Sequence, residues 1–377
     1  MSDIARLLFC AALLAAPAAS AGQPAPERRL NPKIEALGDN SWADLGLGVP
    51  GGWEVGMVYD QANRMVFRYG GCGTGPNLPG DYGYSNMLCL LDVASGVWHI
   101  RRPTHMYGGD GRPINGCGRA YAYDPVHRVV WTINAVASSG TGGKGGMYCY
   151  DAALDRFEGP FGGPHSTSTA MGYDPDDDLV LLLQRGGGSH VFNVKTRTWK
   201  ETAKGPETTG YDQLLWIPEL KQFLACLRTG TGEFADKPDY AGTGATRATR
   251  KDEKTGKYAV ARMVTFGFDP KALVWKELKP RTEPQPPRTY DGFCYDSKNQ
   301  VAILTGGGNA MWDGRKEIEC DVNDTWAYDP KANDWKEMKP AAPPPAGQFK
   351  AACCFDTEHG AMLSVIMHRL WAYRYKK

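Results

Sequence analysis

An aromatic residue closes the same short phrase at long intervals along this chain of 377 residues. In five of these phrases an Asp or Asn lies six positions before the aromatic residue, as Asp329 does before Trp335. A phrase repeated at such intervals indicates repeated supersecondary units, so it constrains the architecture more than any local pattern does. The six aromatic residues are Trp42, Trp98, Phe157, Trp199, Trp275 and Trp335.

Each unit also carries a Tyr-Asp pair or an equivalent, and a new apolar run begins five positions after the Asp. Asp60 and Met65 occupy these positions in the first unit, and we assign them to Pro218 and Phe223 in the fourth. The residues between are polar and typical of turns, so they predict antiparallel hairpins. Two hairpins per unit give four strands, and several four-stranded sheets arranged radially make a β-propeller.

The number of units gives the number of blades. The last unit ends after its third strand, and residues 40–45 read like the fourth-strand segment at 333–338. We therefore predict an all-β fold over residues 40–377, a six-bladed β-propeller of four-stranded antiparallel blades. An N-terminal strand would complete the C-terminal blade and fix both termini. The units begin near Glu54, Gly118, Ser168, Asp212, Tyr290 and Lys350.

These repeats resemble those of the Kelch-repeat propellers. The resemblance rests on the glycines at 306–308 followed by residues 323–335, and on Gly70 and Gly71 followed by Trp98. It covers residues 40–377, although the glycine doublet is lost in the second and last units. Kelch proteins are mostly ligand or protein binders with a few enzymes among them, so the resemblance implies a fold and leaves the function open.

The first 21 residues have the pattern of a secretory signal peptide. Arg6 precedes an apolar run at 7–14 that is too short to span a bilayer, and Ala19 and Ala21 give a small-x-small cleavage site. We predict cleavage after Ala21, a linker over residues 22–39, and a secreted or periplasmic mature protein. No later stretch is apolar enough for an integral membrane segment.

The charge balance and the histidine spacing exclude several classes of function. With 43 basic and 42 acidic residues the net charge is +1, which argues against a nucleic-acid partner. The seven histidines form no HxH or HxxxH pair, so we predict no metal site and no cofactor. The copper ligands of galactose oxidase, one of the Kelch enzymes, cannot be assembled from motif matches, and His190 is interpreted as a packed structural side chain.

Nine cysteines follow the cleavage site, and none has a CxxC spacing. Cys294 and Cys354 stand two residues before the Asp of their units, where other units have small or apolar residues. We interpret them as buried apolar side chains rather than as redox groups.

The loops between the second and third strands of a blade lie on the same end of the ring as the inter-blade connections. These loops are long in four units, at residues 72–86, 136–146, 229–262 and 308–323. Long loops on a rigid scaffold are where function concentrates. The 229–262 insertion carries many charged residues, and we interpret it as a solvated, mobile flap in preference to a binding arm.

Polar residues at the ends of the first and second strands are expected to converge at the mouth of the central channel. Arginines among them suit a ligand carboxylate, while the alternative is a set of inter-blade salt bridges. The catalytic candidates are Glu54, Asp212 and Asp291. The ligand-binding candidates are Arg119, Asn134, Gln184, Arg185, Arg228, Arg288, Tyr290 and Lys350.

Two classes of function stay open. The leading hypothesis is an exported, non-catalytic scaffold that recognises a glycan or a protein through its loop-rich face. The alternative is a carbohydrate-active enzyme, similar to the six-bladed Kelch sialic-acid epimerases or mutarotases, with an acid and a base at the channel mouth.

Overall fold

The computed structural model of the chain is an all-β structure of six four-stranded antiparallel blades, as the repeats predict. It describes residues 29–50, 55–70, 87–101, 120–133, 146–164, 169–208, 212–237, 246–308, 311–312, 317–318, 322–345 and 352–377.

Strand β1 (Ser41–Gly48) comes first in the chain and belongs to the last blade. Blade 1 consists of β2 (Val58–Asp60), β3 (Met65–Tyr69), β4 (Leu88–Asp92) and β5 (Val97–Arg101). Blade 2 consists of β6 (Tyr121–Asp124), β7 (Val129–Ile133), β8 (Met147–Asp151) and β9 (Arg156–Glu158). Blade 3 consists of β10 (Thr169–Asp174), β11 (Leu179–Gln184), β12 (Ser189–Asn193) and β13 (Thr198–Glu201).

Blade 4 consists of β14 (Leu215–Ile217), β15 (Gln222–Ala235), β17 (Tyr258–Asp269) and β18 (Val274–Glu277), with β16 (Thr246–Lys251) added beside β17. Blade 5 consists of β19 (Gly292–Asp296), β20 (Val301–Thr305), β23 (Thr325–Asp329) and β24 (Asp334–Glu337), with a small hairpin of β21 (Met311–Trp312) and β22 (Glu317–Ile318). Blade 6 consists of β25 (Ala352–Asp356), β26 (Ala361–Ile366), β27 (Arg369–Arg374) and β1.

The first strand of each blade lies innermost, and each inner strand contacts the inner strands of both neighbouring blades. The ring therefore closes from β25 back to β2. Strand β1 pairs antiparallel with β27, with Ser41 opposite Arg374 and Gly48 opposite Arg369. This confirms that a strand from the N-terminal side completes the C-terminal blade.

The six aromatic residues of the repeat lie on the outer strands, and most of their indole N–H groups cross to the preceding blade. Trp42 Nε1 donates to Thr325 Oγ1 at 3.1 Å, which joins blade 6 to blade 5. Blade 5 is joined to blade 4 in the same way, because Trp335 Nε1 donates to Thr265 Oγ1 at 2.9 Å. The other two bonds of this kind are from Trp275 to Ser189 and from Trp199 to the carbonyl of Phe161.

Five inner strands end in a buried Asp that organises the following turn. Asp60 Oδ1 accepts from the N–H groups of Ala62 and Asn63, and the Asn63 amide donates to Asp60 Oδ2 at 2.7 Å. Side chains of this kind replace a backbone turn and hold the hairpin in one geometry. The other four residues at this position are Asp124, Asp174, Asp296 and Asp356.

Blade 4 has no Asp at this position, and here the sequence assignment is wrong by one residue. The last pair between β14 and β15 is Ile217 with Gln222, as Asp60 pairs with Met65 in blade 1. Ile217, rather than Pro218, is therefore the equivalent of the Asp. Without an Asp to mark the end of the strand, the sequence does not distinguish Ile217 from the adjacent Pro218.

Blade 3 keeps the Asp but lacks the side-chain donor. Asp177 stands where Asn63 stands in blade 1, and Asp174 Oδ2 has no hydrogen-bond partner in the part of the chain described. Burial raises the pKa of Asp174 to about 6, against the lowering effect of the N–H groups of Asp176 and Asp177. This carboxyl is therefore poorly compensated when ionised.

Part of the segment expected to be a linker packs on the propeller. Helix α1 (Pro32–Glu35) is a single turn capped by Asn31, and its Ile34 is fully buried in the cluster that includes Trp42. The Asn31 N–H donates to His359 Nε2 at 3.0 Å. No helix in the described ranges is long and apolar enough to cross a membrane. Residues 1–28, with the predicted signal peptide, lie outside those ranges.

The described parts of the 229–262 insertion form paired strands, which the interpretation as a solvated flap did not include. Strands β15 and β17 continue their pairing beyond the blade, and β16 adds a third strand beside β17. We call residues 229–262 the arm. Charged side chains are compatible with a strand whose faces are solvated, because the ladder satisfies the backbone groups.

The described cysteines fit the apolar interpretation. Cys294 and Cys354 are buried free thiols in the core, and burial raises the pKa of both well above the ordinary value. Four further described cysteines, Cys89, Cys149, Cys226 and Cys353, are buried and free as well.

A chain that begins at residue 46 is expected to lose about 3–5 kcal/mol of unfolding free energy or more, the usual cost of removing one buried Trp. The truncation removes Trp42 and Leu45 from the core and leaves the edge of β27 unpaired. Urea unfolding followed by tryptophan fluorescence measures this, with a chain that begins at Arg29 as control. Equal stability of the two chains would contradict closure of the ring by β1.

Candidate functional site

The described candidate residues belong to the loop face, which we define as the end of the ring that carries the loops between second and third strands. Asp212, Asp291, Gln184, Arg185, Arg228, Arg288 and Tyr290 are placed in the structure. Glu54, Arg119, Asn134 and Lys350 lie outside the described residues.

Asp212 and Asp291 precede the inner strands of two adjacent blades, β14 and β19, and are only 3% and 2% exposed. The Thr208 hydroxyl donates to Asp212 Oδ2. Both carboxylates lie near the buried thiol of Cys226. Burial raises the pKa of that thiol well above its ordinary value, and Asp291 and Asp212 raise it further. Both of these predicted candidates thus lie near the same thiol, and both are buried beneath the surface.

Arg288 is fully buried and its donors are used inside the protein. It forms a bidentate ion pair with Asp324, in which Nη1 bonds to Oδ1 and Nη2 lies 2.7 Å from Oδ2. Its remaining N–H groups donate to the carbonyls of Gln285, Pro286 and Gly306. This guanidinium therefore stabilises blade 5, and no donor is left for the carboxylate of a ligand.

The glycine run of the repeat holds Asp291 in place. Gly307 has a φ of +90°, and a Cβ there would lie 2.8 Å from the carbonyl oxygen of Thr289 and 3.0 Å from Asp291 Cα. Thr289 and Gly308 exchange two backbone hydrogen bonds of 2.9 and 3.0 Å. Between Thr289 and Asp291, Tyr290 adopts a φ of +59°, an uncommon conformation for a non-glycine residue. The glycine motif thus has a local structural cause.

The other described candidates lie in different environments. Gln184 ends β11 and is half-buried, and Arg185 is exposed in the short turn before β12. Arg228 is half-buried on β15, next to Thr229 where the arm begins.

Gln213 is a residue that the sequence did not single out. Its Oε1 accepts from the N–H of Phe293 at 3.0 Å, and its Nε2 donates to the carbonyl of Cys353 at 3.4 Å. One side chain thus ties together the inner strands of blades 4, 5 and 6 across the channel. Only the closed ring brings these blades to one point, so no local sequence pattern could have revealed it.

A cavity of about 260 Å³ occupies the part of the channel near the Asp turns, at the end we call the turn face. At least one aromatic residue from each inner strand lines it. Three of the tyrosine hydroxyls donate to carboxylates, as Tyr295 does to Glu219 Oε2 at 2.7 Å. These three hydroxyls therefore bond within the protein and stabilise the scaffold. The eight aromatic residues of the lining are Tyr59, Tyr121, Tyr123, Tyr173, Trp216, Phe293, Tyr295 and Phe355.

A second, larger space of about 400 Å³ lies at the base of the arm. We call it the arm groove. The pairing of β15 with β17 shifts register between Gly230 and Phe234, and Phe234 is 45% exposed. A bulge of this kind re-aims side chains, often next to binding sites. The groove is lined by Pro206, Glu207, Thr229, Gly230, Gly232, Glu233, Phe234, Ala259, Val260 and Phe266.

No protein-family model and no curated protein sequence matches the chain. Among solved structures, it is similar to a structural genomics protein of unknown function from Bacteroides thetaiotaomicron. The TM-score is 0.51 at 12% sequence identity, and the match covers 89% of this chain and 72% of that chain. At this identity the likeness shows the fold alone. The Kelch resemblance stays a prediction drawn from the repeats.

Replacing Asp324 by Ala is expected to destabilise the protein by about 3–5 kcal/mol, because it leaves a buried Arg288 without its counter-ion. Chemical denaturation measures the loss. Arg281→Ala is the matched control, since it breaks an exposed Arg–Asp pair with Asp334 and should change little. A small effect of Asp324→Ala would contradict the structural role of Arg288.

Proposed function

We propose that this protein is an exported, non-catalytic binding scaffold and that a protein ligand docks on its loop face, against the arm. The observation that supports this proposal most is the arm groove. It combines about 400 Å³ of space with an exposed aromatic side chain on a paired β-sheet. Binding residues are typically carried by loops on such a scaffold.

The lining of the groove indicates the chemistry of the ligand. Phe234, Val260 and Phe266 offer an apolar surface, and the exposed Glu207 and Glu233 add negative charge beside it. A protein segment with an apolar side chain next to a basic one is complementary to this surface. Exposed aromatic residues of this kind often act as anchors of protein interfaces.

The neighbouring blade extends this surface. The small hairpin of β21 and β22 rises from blade 5, and β21 lies against β16 of the arm. Loops of two adjacent blades therefore meet on the same face. A continuous surface across two blades suits a protein partner better than a small sugar.

The export part of the proposal rests on the N-terminal sequence. Its test is the N-terminal sequence of the mature protein recovered outside the cytoplasm, which should begin at Gly22. An intact N-terminus on a protein retained in the cytoplasm would contradict it.

An arm-shortened variant tests the docking site. Thr229 and Arg262 are opposite each other in the ladder, so residues 230–261 can be replaced by Asn-Gly, which favours a two-residue hairpin turn. A displayed peptide library is selected on the natural protein. The recovered peptides are expected to bind the shortened variant at least about tenfold more weakly, the loss of about 1.4 kcal/mol or more that an aromatic anchor supplies.

A single substitution gives a finer test. Phe234→Ser should weaken the same peptides without lowering the melting temperature, because Phe234 is exposed. Val97→Ser, which replaces a similarly exposed apolar residue on β5, is the matched control and should leave binding unchanged. Peptides that bind all three variants like the natural protein would overturn the arm as the docking site.

The alternative function is a sugar-acid epimerase or mutarotase at the channel mouth, with the neighbouring Asp212 and Asp291 as acid and base. The position of both acids near Cys226 favours it, but their burial and the engagement of Arg288 weigh against it. NMR of anomer exchange of sialic acid separates the two functions. We expect the exchange rate to be unchanged by the protein. An acceleration that Asp291→Asn abolishes would establish the enzyme instead.

A further inference from the structure

A group of three potential metal ligands lies on the turn face, at the boundary of blades 2 and 3. Asp124 ends β6, His127 follows in the same turn, and Asp178 lies in the turn before β11. One ligand atom from each lies within 4.8 Å of the others. His127 Nδ1 is 2.8 Å from Asp124 Oδ2 and 3.6 Å from Asp178 Oδ1.

The same Asp-x-x-His arrangement occurs once more, in blade 6, where protein groups bond to both ring nitrogens of the histidine. His359 is buried, its Nδ1 lies 2.6 Å from Asp356 Oδ2, and its Nε2 accepts from the N–H of Asn31. The pair alone is therefore a turn cap. Blade 2 differs because the His127 side chain is 42% exposed and faces a second carboxylate, Asp178.

That second carboxylate is buried without adequate compensation. The Asp178 side chain is 4% exposed, and its Oδ1 accepts from the Tyr173 hydroxyl at 2.7 Å. Its Oδ2 is buried and has no hydrogen-bond partner within the described ranges. The nearest lysine nitrogen, that of the exposed Lys195, is 4.0 Å from it. Burying carboxylates without a close counter-ion is costly, as the contrast with the Arg288–Asp324 pair shows.

We propose that Asp124, His127 and Asp178 bind a divalent transition-metal cation, of which zinc is the probe. Zinc bonds of about 2.0–2.1 Å in a tetrahedral site place ligand atoms about 3.3 Å apart. The observed separations of 2.8 and 3.6 Å lie on either side of this value. The cation takes the place of the proton between His127 and Asp124, and the exposed side of His127 leaves room for a water ligand.

The neighbours of the two carboxylates fit this assignment. In blade 2, Trp131 Nε1 donates to Asp124 Oδ2 at 3.0 Å. In blade 3, the Tyr173 hydroxyl donates to Asp178 Oδ1 and orients that carboxylate. Donors of this kind fix the orientation of metal-binding carboxylates. A cation at this position bonds to blade 2 through Asp124 and His127 and to blade 3 through Asp178, so it joins two blades.

The chain offers a substitution that removes the nitrogen ligand and keeps the turn. Asn63 and Asn299 donate to Asp60 and Asp296 from the position that His127 has in blade 2. His127→Asn should therefore fold like the natural protein. The test uses the metal-free mature chain without a histidine tag, titrated with zinc by calorimetry and with cobalt by visible absorption.

The natural protein is expected to bind one zinc per chain and to melt at a higher temperature with zinc. His127→Asn and Asp178→Asn should lower the affinity by about tenfold or more, since even indirect supports of metal ligands have effects of that size. His99→Asn, on outer strand β5, is the control and should bind normally. Equal binding by His127→Asn, or a thiolate-to-cobalt absorption band that assigns the metal to cysteines, would overturn the proposal.

Discussion

The structure depends on side chains that cross from one blade to the next. A single four-stranded blade has two faces to cover, and it covers them only against its neighbours. The indole N–H of Trp335 bonds to Thr265 in the preceding blade, and Trp42 bonds to Thr325 in the same way. These tryptophans therefore contribute twice, by apolar packing within their own blade and by a directional bond to the preceding blade. Because Trp42 arrives from the other end of the sequence, this bond also fixes the closure of the ring.

Buried charge is distributed unevenly around this ring, and the distribution separates structural from functional groups. Arg288 and Asp324 neutralise each other at the loop face, and four of the turn aspartates are satisfied by N–H groups and a side-chain donor. Asp174 lacks the side-chain donor, and burial raises the pKa of its carboxyl to about 6. Beside Asp124 the adjacent blade adds a second buried carboxylate, that of Asp178, and the proposed cation would balance the charge of the two. The arm groove is different again, since its carboxylates are exposed and available to a partner.

The fold could be predicted almost completely from the sequence because its determinants are local and repeated. The spacing between Asp60 and Met65 sets a hairpin, and the spacing between Asp329 and Trp335 sets another. The assignment failed by one residue at Ile217, where the Asp is absent. The strand pairing of the arm was also missed. Its charges suggested solvation, whereas β-pairing depends on backbone groups that composition does not report.

The candidate site was predicted less well because it depends on which blades become neighbours. The sequence placed Asp212 and Asp291 at the same end of the ring, and they do lie around Cys226. It could not show that Arg288 is occupied, since Asp324 is 36 residues away and meets it only through the folded blade. A search for paired histidines also misses the turn-face group. The ligands of that group come from two blades. The same Asp-x-x-His spacing only caps a turn at His359, whereas at His127 a second carboxylate, Asp178, packs beside the histidine. In a repeat protein the same motif therefore has to be judged at each position by what the adjacent blade adds to it.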